Sequence, residues 1–391
     1  MHPELFTLPV FGITVKTYGF CLMVGFLSAV WLAMRRAERV KADPDCVLDL
    51  SFLALVFGVG GARVFYVVHY WKTQFADVRN PLLAAIDIRQ GGLEFLGGVL
   101  GALLAIVFYL VVVKKKSVRL YLDILAPGLM WGLAFGRIGC FFNGCCFGGP
   151  CDVLPTAEPQ YSWAVQFPYG SPAHQHAWEN REVTVPAELV QSRGARSYLL
   201  WPGTLSLSVE RREGPRRQAE ELQKALAEAN AEDPKGQRAT ELTEALKAAK
   251  ARRDRLAKQH HLDELKWAQK FPSRHDRARN TSVSELQQMA AECVSPYVHP
   301  TQLYSAINAM ILAGFLSILF HLRKRHGIVI GLFFVLYPLG RFLIETIRND
   351  NPHDTFGLTI AQSVSIALFV GGVLYLYVVY KFLPKRSPRL A

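Results

Sequence analysis

Residues 120–144 read LYLDILAPGLMWGLAFGRIGCFFNG. From Leu120 to Phe142 this run is long and apolar enough to cross a bilayer as a helix, which takes ~20 mostly apolar residues. Its apolar side chains go all the way round the helix, whereas a helix of a large soluble protein has one apolar and one polar face. The stretch is therefore read as a membrane span with a glycine-rich polar tip, Gly136-Arg137-Ile138-Gly139-Cys140 followed by Phe141-Phe142-Asn143-Gly144.

Six further runs share this character: Tyr18–Met34, Val47–Tyr70, Gly92–Val113, Leu303–Leu322, Ile328–Ile347 and Leu358–Leu383. Lipid offers the backbone no hydrogen-bond partner, so such spans fold as helices. The expected fold class is an all-α polytopic membrane protein with seven transmembrane helices. The first run lacks the basic start and small-residue cleavage site of a signal peptide, and Arg35-Arg36 follow it, so it is read as a retained span.

Residues 150–298 read differently, as ordinary polar and charged sequence. Three regions result: 1–149 with spans one to four, 150–298 as a head or insertion, and 299–391 with spans five to seven. Aromatic, proline and β-branched residues through Thr204 suggest short strands and loops. Pro215–Glu232 and Gln237–His260 are rich in Ala, Glu, Lys and Leu, with Leu222, Leu226, Leu242 and Leu246 at i, i+4 spacing. Asp233-Pro234-Lys235-Gly236 reads as the turn between them, which predicts a helical hairpin in the head.

Charge sets the orientation. Alternate short loops and the C-terminal tail carry fifteen Lys and Arg residues, among them Arg35, Arg36, Lys114, Lys115, Lys116, Arg323, Lys324 and Arg325; the opposite segments carry five. The positive-inside rule puts the richer side in the cytoplasm, the N-terminus and the insertion outside, and the C-terminus inside. Much of the net charge of +12 follows from this topology, so no nucleic-acid partner is implied.

Polar groups within spans are costly and mark function. Arg63 follows Gly60-Gly61-Ala62 in span two. Glu94 lies between Gly91-Gly92 and Gly97-Gly98 in span three. Arg137 precedes the glycine-rich tip of span four, and Tyr337, Arg341 and Glu345 share span six. By the topology all four groups lie toward the outer face. Arg341 and Glu345 are also spaced to pair with each other, and Arg63 to snorkel to the headgroups. Guanidinium binds phosphate bidentately and stays charged, so the residues alone indicate an anionic lipid headgroup as ligand. The seven cysteines give no metal-ligand pattern: the spacing of Cys145, Cys146 and Cys151 favours a disulfide from Cys146 or Cys151, with Cys293 as a partner, over a metal. No metal and no cofactor are expected.

In order along the chain, Tyr18-Gly19-Phe20, Gly60-Gly61-Ala62-Arg63-Val64-Phe65-Tyr66, Gly91-Gly92, Gly97-Gly98, Gly136-Arg137-Ile138-Gly139 through Asn143-Gly144, His299-Pro300-Thr301-Gln302-Leu303-Tyr304 and Arg341-Phe342-Leu343-Ile344-Glu345 resemble the motifs of the prolipoprotein diacylglyceryl transferase family. The resemblance implies seven spans and an outward head in the bacterial inner membrane. It implies transfer of the diacylglyceryl group of phosphatidylglycerol to the lipobox cysteine of a prolipoprotein signal peptide, with the bilayer as setting. On that basis Arg137 and Arg341 match the essential arginines, and Tyr18, Arg63, Asn143, Tyr337 and Glu345 are substrate-binding candidates. The chain departs from the family where Leu96 replaces its usual histidine, a proposed base, and where Cys140 and Cys145 replace an asparagine and a glutamate. Glu94 and His299 are the alternative bases, although Glu94 sits roughly 200° from position 96 on a helix. The other readings are a paralogue with a different lipid or acceptor or without activity, and a channel or transporter, for which the internal repeats are lacking.

The topology makes a direct prediction. A cysteine placed within Asp233–Gly236 should react with a membrane-impermeant thiol reagent in intact spheroplasts, above the wild-type background; labelling only after the inner membrane is broken would reverse the orientation.

Overall fold

The computed structural model describes residues 4–8, 13–71, 75, 81–86, 92–151, 161–193, 196–200, 222–229, 238, 241–251, 283–348 and 357–383. Gly91 and the Asp233–Gly236 turn lie outside them. Among the described residues, seven helices are long and apolar enough to cross a membrane. They are α1 (Thr17–Arg39), α2 (Pro44–His69), α4 (Phe95–Phe108, continued as a π-helical turn over Tyr109–Val113), α5 (Val118–Asn143), α8 (Thr301–Leu322), α9 (Ile328–Glu345) and α10 (Ile360–Phe382). Each coincides with one of the seven apolar runs to within a few residues at either end, so this is a multi-pass membrane protein. A hairpin of β1 (Glu4–Leu8) and β2 (Ile13–Lys16) precedes α1, and the short α3 (Pro81–Ile86) lies between α2 and α4. Neither was evident in the sequence. By contacts the chain divides into two units, residues 2–149 with 300–391, and residues 150–299.

In the helical unit the pairs α2–α4, α1–α5, α5–α8 and α9–α10 make the main contacts. Lipid supplies no hydrophobic force between helices, so small residues that let backbones touch do the work. A Cβ on Gly61 would lie 2.5 Å from the Gly97 carbonyl oxygen, and one on Gly101 would lie 2.5 Å from that of Phe57. The glycines of α2 and α4 thus form one seam. At the α1–α5 contact a Cβ on Gly25 would lie 2.6 Å from the Phe135 Cβ.

Polar ties supplement the packing. Asp123 of α5 is fully buried; its carboxylate accepts from the Gly327 and Ile330 backbone N–H groups at 2.7 and 3.0 Å and lies 3.4 Å from the Arg323 Nε. It therefore occupies the N-terminus of α9, where orphan donors and the helix dipole favour an anion. Asp43 caps α2 by accepting from the Asp45 and Cys46 N–H groups. A hydrogen bond from Lys116 holds the Asp43 carboxyl below its usual range.

The second unit is built from chain segments on both sides of its middle. It contains α6 (Pro172–Glu179), the hairpin β3 (Val190–Arg193) and β4 (Arg196–Leu199), and α7 (Val283–Glu292). Tyr169, Leu189, Leu200, Leu286 and Ala290 form its core. The Phe167 N–H donates to the Ser295 Oγ at 2.8 Å, and Val165 and Val298 form a bridge. Residues 222–229 and 241–251 are helical, and Leu222 and Leu226 pack against Leu246 and Ala249, while Leu242 is not in this cluster; the remaining ends of the expected hairpin helices lie outside the described residues.

The glycine seam gives a stability test. Alanine is normally favoured over glycine in a helix by roughly 0.5–1 kcal/mol. Gly97→Ala should nevertheless destabilise the protein by about 1–3 kcal/mol, because its Cβ would meet Phe65 and the Gly61 carbonyl. Gly60→Ala, which meets nothing within 4 Å, should melt in detergent at or above the wild-type temperature.

Candidate active site

The polar groups of α1, α5, α8 and α9 converge at the C-terminal tip of α5. Gly144 ends α5 in the left-handed region at φ 72°, and the Cys145 N–H returns to the Cys140 carbonyl at 3.2 Å. This six-to-one closure is a Schellman turn, which needs a residue without a Cβ penalty at the glycine position. It folds Cys145 and Cys146 back onto the helix end, and the Sγ atoms of Cys140, Cys145 and Cys146 all lie within 4.8 Å of one another.

The loop is fixed from a second helix. The Thr301 Oγ1 donates to the Cys146 carbonyl at 2.7 Å and the Gln302 Nε2 donates to the Cys145 carbonyl at 2.8 Å. Thr301 and Gln302 are buried at the start of α8. Cys146 itself has φ 60°, a left-handed conformation that a non-glycine residue adopts only when its surroundings impose it. Hydrogen bonds from the Cys140 and Cys145 thiols, with Arg348 and Arg137 nearby, hold the Cys146 thiol far below its ordinary range.

Arg137 is half-buried one turn before the loop and makes no hydrogen bond or ion pair among the described residues. Tyr18, at the start of α1, is within electrostatic range of Arg137 and all three thiols. Gly139 makes that approach possible, since a Cβ there would lie 3.0 Å from the Tyr18 ring. Asn143 hydrogen-bonds the Cys145 thiol.

On α9, Arg341 pairs with the buried Glu345. Arg348 lies 3.6 Å from the same carboxylate, and the Thr359 hydroxyl donates to its other oxygen at 3.1 Å. Arg341 is also within electrostatic range of Arg137 and of Tyr337, whose ring stacks on Phe333. Gly148 and Arg348 form a backbone bridge, and the Gly149 N–H donates to the Ile347 carbonyl at 2.8 Å. Three guanidinium groups against one carboxylate leave the site positive.

Other candidates lie elsewhere. Arg63 donates to the carbonyls of Ala84, Ala85 and Gly92 at 2.7–2.9 Å, so its guanidinium anchors the connection between α2 and α4. Glu94 is the N-cap residue of α4 but its side chain makes no capping hydrogen bond, lying instead 3.2 Å from the His69 Nδ1. Leu96 is exposed on α4. His299 belongs to the second unit, where it packs against Tyr161 at 5.9 Å between ring centres. The expected disulfide from Cys146 or Cys151 to Cys293 is not formed. All three are free thiols, Cys151 buried, and Cys146 meets Cys140 and Cys145 instead, because the Schellman turn reverses the chain before Cys151. Sequence reasoning gave no role to Thr301, Gln302 or Arg348; the i, i+3 spacing of Glu345 and Arg348 was the available signal for the last.

The sequence model of the family described as prolipoprotein diacylglyceryl transferase matches residues 3–378. A phosphatidylglycerol–prolipoprotein diacylglyceryl transferase of Rhodopirellula baltica is 38% identical over 170 residues, which are 42% of this chain and 32% of that protein. The proteins of the same name from Pseudoalteromonas translucida and Vibrio cholerae are each 36% identical, over 42% and 45% of this chain and 58% and 60% of their own lengths. The matched stretch thus spans from a third to three fifths of these relatives.

The clamp on the thiol loop is open to measurement. Thr301→Val removes one donor and leaves the Cys146 carbonyl unsatisfied, a cost of about 1–3 kcal/mol. N-ethylmaleimide should then alkylate Cys146 faster than in the wild type, as followed by peptide mass spectrometry; an unchanged rate would show that the loop holds its shape without Thr301.

Proposed function

The chain belongs to the prolipoprotein diacylglyceryl transferase family, and from that membership we propose that it transfers the diacylglyceryl group of phosphatidylglycerol to the lipobox cysteine thiol of a prolipoprotein. The observation that carries this reading is the half-buried Arg137 guanidinium, without a partner among the described residues, beside Arg341 and Arg348 at a helix tip. A phosphodiester is the anion that suits it. The planar fork can bind two phosphate oxygens at once.

The reaction needs three things from the site. The phosphate must be held where charge grows as the leaving group departs, which is the work of preorganised donors. Arg137 is the primary donor, and Arg341 is held in register by Glu345. The lipid must be oriented toward the acceptor, a task for Tyr18, Asn143 and Tyr337 around the same tip. The acceptor must attack as thiolate. Glu94 and His299 are the sequence candidates for that base, and Glu94 is engaged by His69. The setting is the bacterial inner membrane, with the N-terminus and head outside and the C-terminus in the cytoplasm, in keeping with the excess of Lys and Arg on the cytoplasmic side. There the donor lipid and the signal peptide both lie in the outer leaflet region next to the arginines.

Incubation of the purified protein with phosphatidylglycerol and a lipobox peptide should yield a thioether-linked diacylglyceryl cysteine, detected by mass spectrometry. Arg137→Lys keeps the charge but loses the fork, and its turnover should fall about ten- to a hundredfold, the equivalent of roughly 1.5–3 kcal/mol. Absence of product from the wild-type protein would overturn the activity. Undiminished turnover in Arg137→Lys would overturn the phosphate clamp.

A further inference from the structure

Cys140, Cys145 and Cys146 gather three sulfurs within 4.8 Å of one another. Two backbone clamps from Thr301 and Gln302, a left-handed Cys146 and a Schellman turn hold that arrangement. A tetrahedral zinc ion with Zn–S bonds of ~2.3 Å places its sulfurs roughly 3.8 Å apart, so a contraction of no more than about 1 Å would close the group on a common centre. Among the described residues no carboxylate or imidazole joins the group, and such an all-sulfur set selects a soft cation over calcium or magnesium. A disulfide would use only two of the three thiols. The positive surroundings, Arg137 and Arg348, offset the charge of three thiolates on a divalent ion.

We propose that Cys140, Cys145 and Cys146 bind one Zn²⁺ ion and leave its fourth position for the acceptor thiol of the prolipoprotein. The proposal rests on the transferase reading for the identity of that fourth ligand. Three protein ligands with one open position is the pattern of a catalytic zinc site, and a structural site would be closed by a fourth. A thiol that coordinates zinc gives up its proton, here to solvent. The bound sulfur then attacks the glyceryl carbon that carries the phosphate ester. The C–S bond forms as the C–O bond breaks, and the electron pair leaves on the phosphate oxygen of glycerol phosphate, beside the arginines. Zinc stays divalent and nothing is oxidised or reduced. The neutral thioether is a weaker ligand than a thiolate and departs. This arrangement removes the need for a protein base, in a chain with Leu96 where its relatives' usual histidine would stand.

The full-length protein should be purified in detergent under reducing conditions, without chelators, and its metal content measured. About one zinc per chain is expected, retained in Cys293→Ser and lost in the double variant Cys145→Ser, Cys146→Ser. In case that variant does not fold, the stripped wild-type protein should take up Co²⁺ and show a thiolate-to-cobalt charge-transfer band. A zinc content below about a tenth per chain with no cobalt band would overturn the site, as would a disulfide within the trio in protein alkylated before lysis. The transferase assay separates the two proposals. Stripping should lower turnover at least about tenfold and added zinc should restore it. Full turnover without zinc overturns the metal's role and leaves the transferase standing, whereas bound zinc with no thioether product overturns the transferase reading and leaves the site.

Discussion

The buried Asp123 carboxylate is the fixed point of the helical unit. It sits near the start of α5, accepts from the first turn of α9 and faces Arg323 at the end of α8. A single anion thus ties three helices at one end, and removing it would leave Arg323 as an uncompensated buried charge, typically worth 3–5 kcal/mol. At the far ends the same helices are tied again. Thr301 and Gln302 of α8 hold the loop after α5, and Ile347 after α9 receives the Gly149 N–H. Asp123 and Arg137 stand fourteen residues apart on α5, about 21 Å along the axis. Helices pinned at both ends keep their tips in register, and those tips carry the site.

The arginines at these tips are not equivalent. Arg341 and Arg348 share Glu345, so part of their charge is already balanced and their positions are set by a buried carboxylate that Thr359 also holds. Arg137 has no such anion among the described residues. An incoming anion therefore meets two positioned guanidinium groups and one with its donors available. Pairing two of the three lets the cluster exist without a ligand, since three mutually repelling cations in a partly buried place would not otherwise hold their geometry.

The spans were legible because lipid leaves the chain no choice: an apolar run of sufficient length must be a helix. All seven runs, from Tyr18–Met34 to Leu358–Leu383, have such a helix, with ends that differ by a few residues: α2 starts ahead of its run, behind the Asp43 cap, while Gly92–Glu94 and Thr346–Ile347 fall outside α4 and α9. Arg137 and the Arg341–Glu345 pair were legible because a charge near the end of an apolar run demands a reason. What stayed hidden depended on chain reversal. The spacing of Cys140, Cys145 and Cys146 gives no sign of convergence until Gly144 turns the chain back. Arg348 had no assigned role until its backbone paired with Gly148 and its side chain with Glu345. Arg63 looked like a ligand-binding group because nothing in the sequence says that the carbonyls of Ala84, Ala85 and Gly92 would surround it.

The core of the second unit joins Leu200 to Leu286, and so brings residues from both sides of a long central segment into one small cluster. The chain thus departs from this cluster after Leu200 and is back in it at Leu286. For such a segment, length is nearly decoupled from the rest of the molecule: the entropy of closing a loop grows as the logarithm of its length, so doubling it costs only about 0.6 kcal/mol. Lineages could lengthen, shorten or exchange this segment while the helix tips stay where Asp123 and the thiol clamp put them, which makes it the place on the chain where new recognition can be grafted without touching the chemistry.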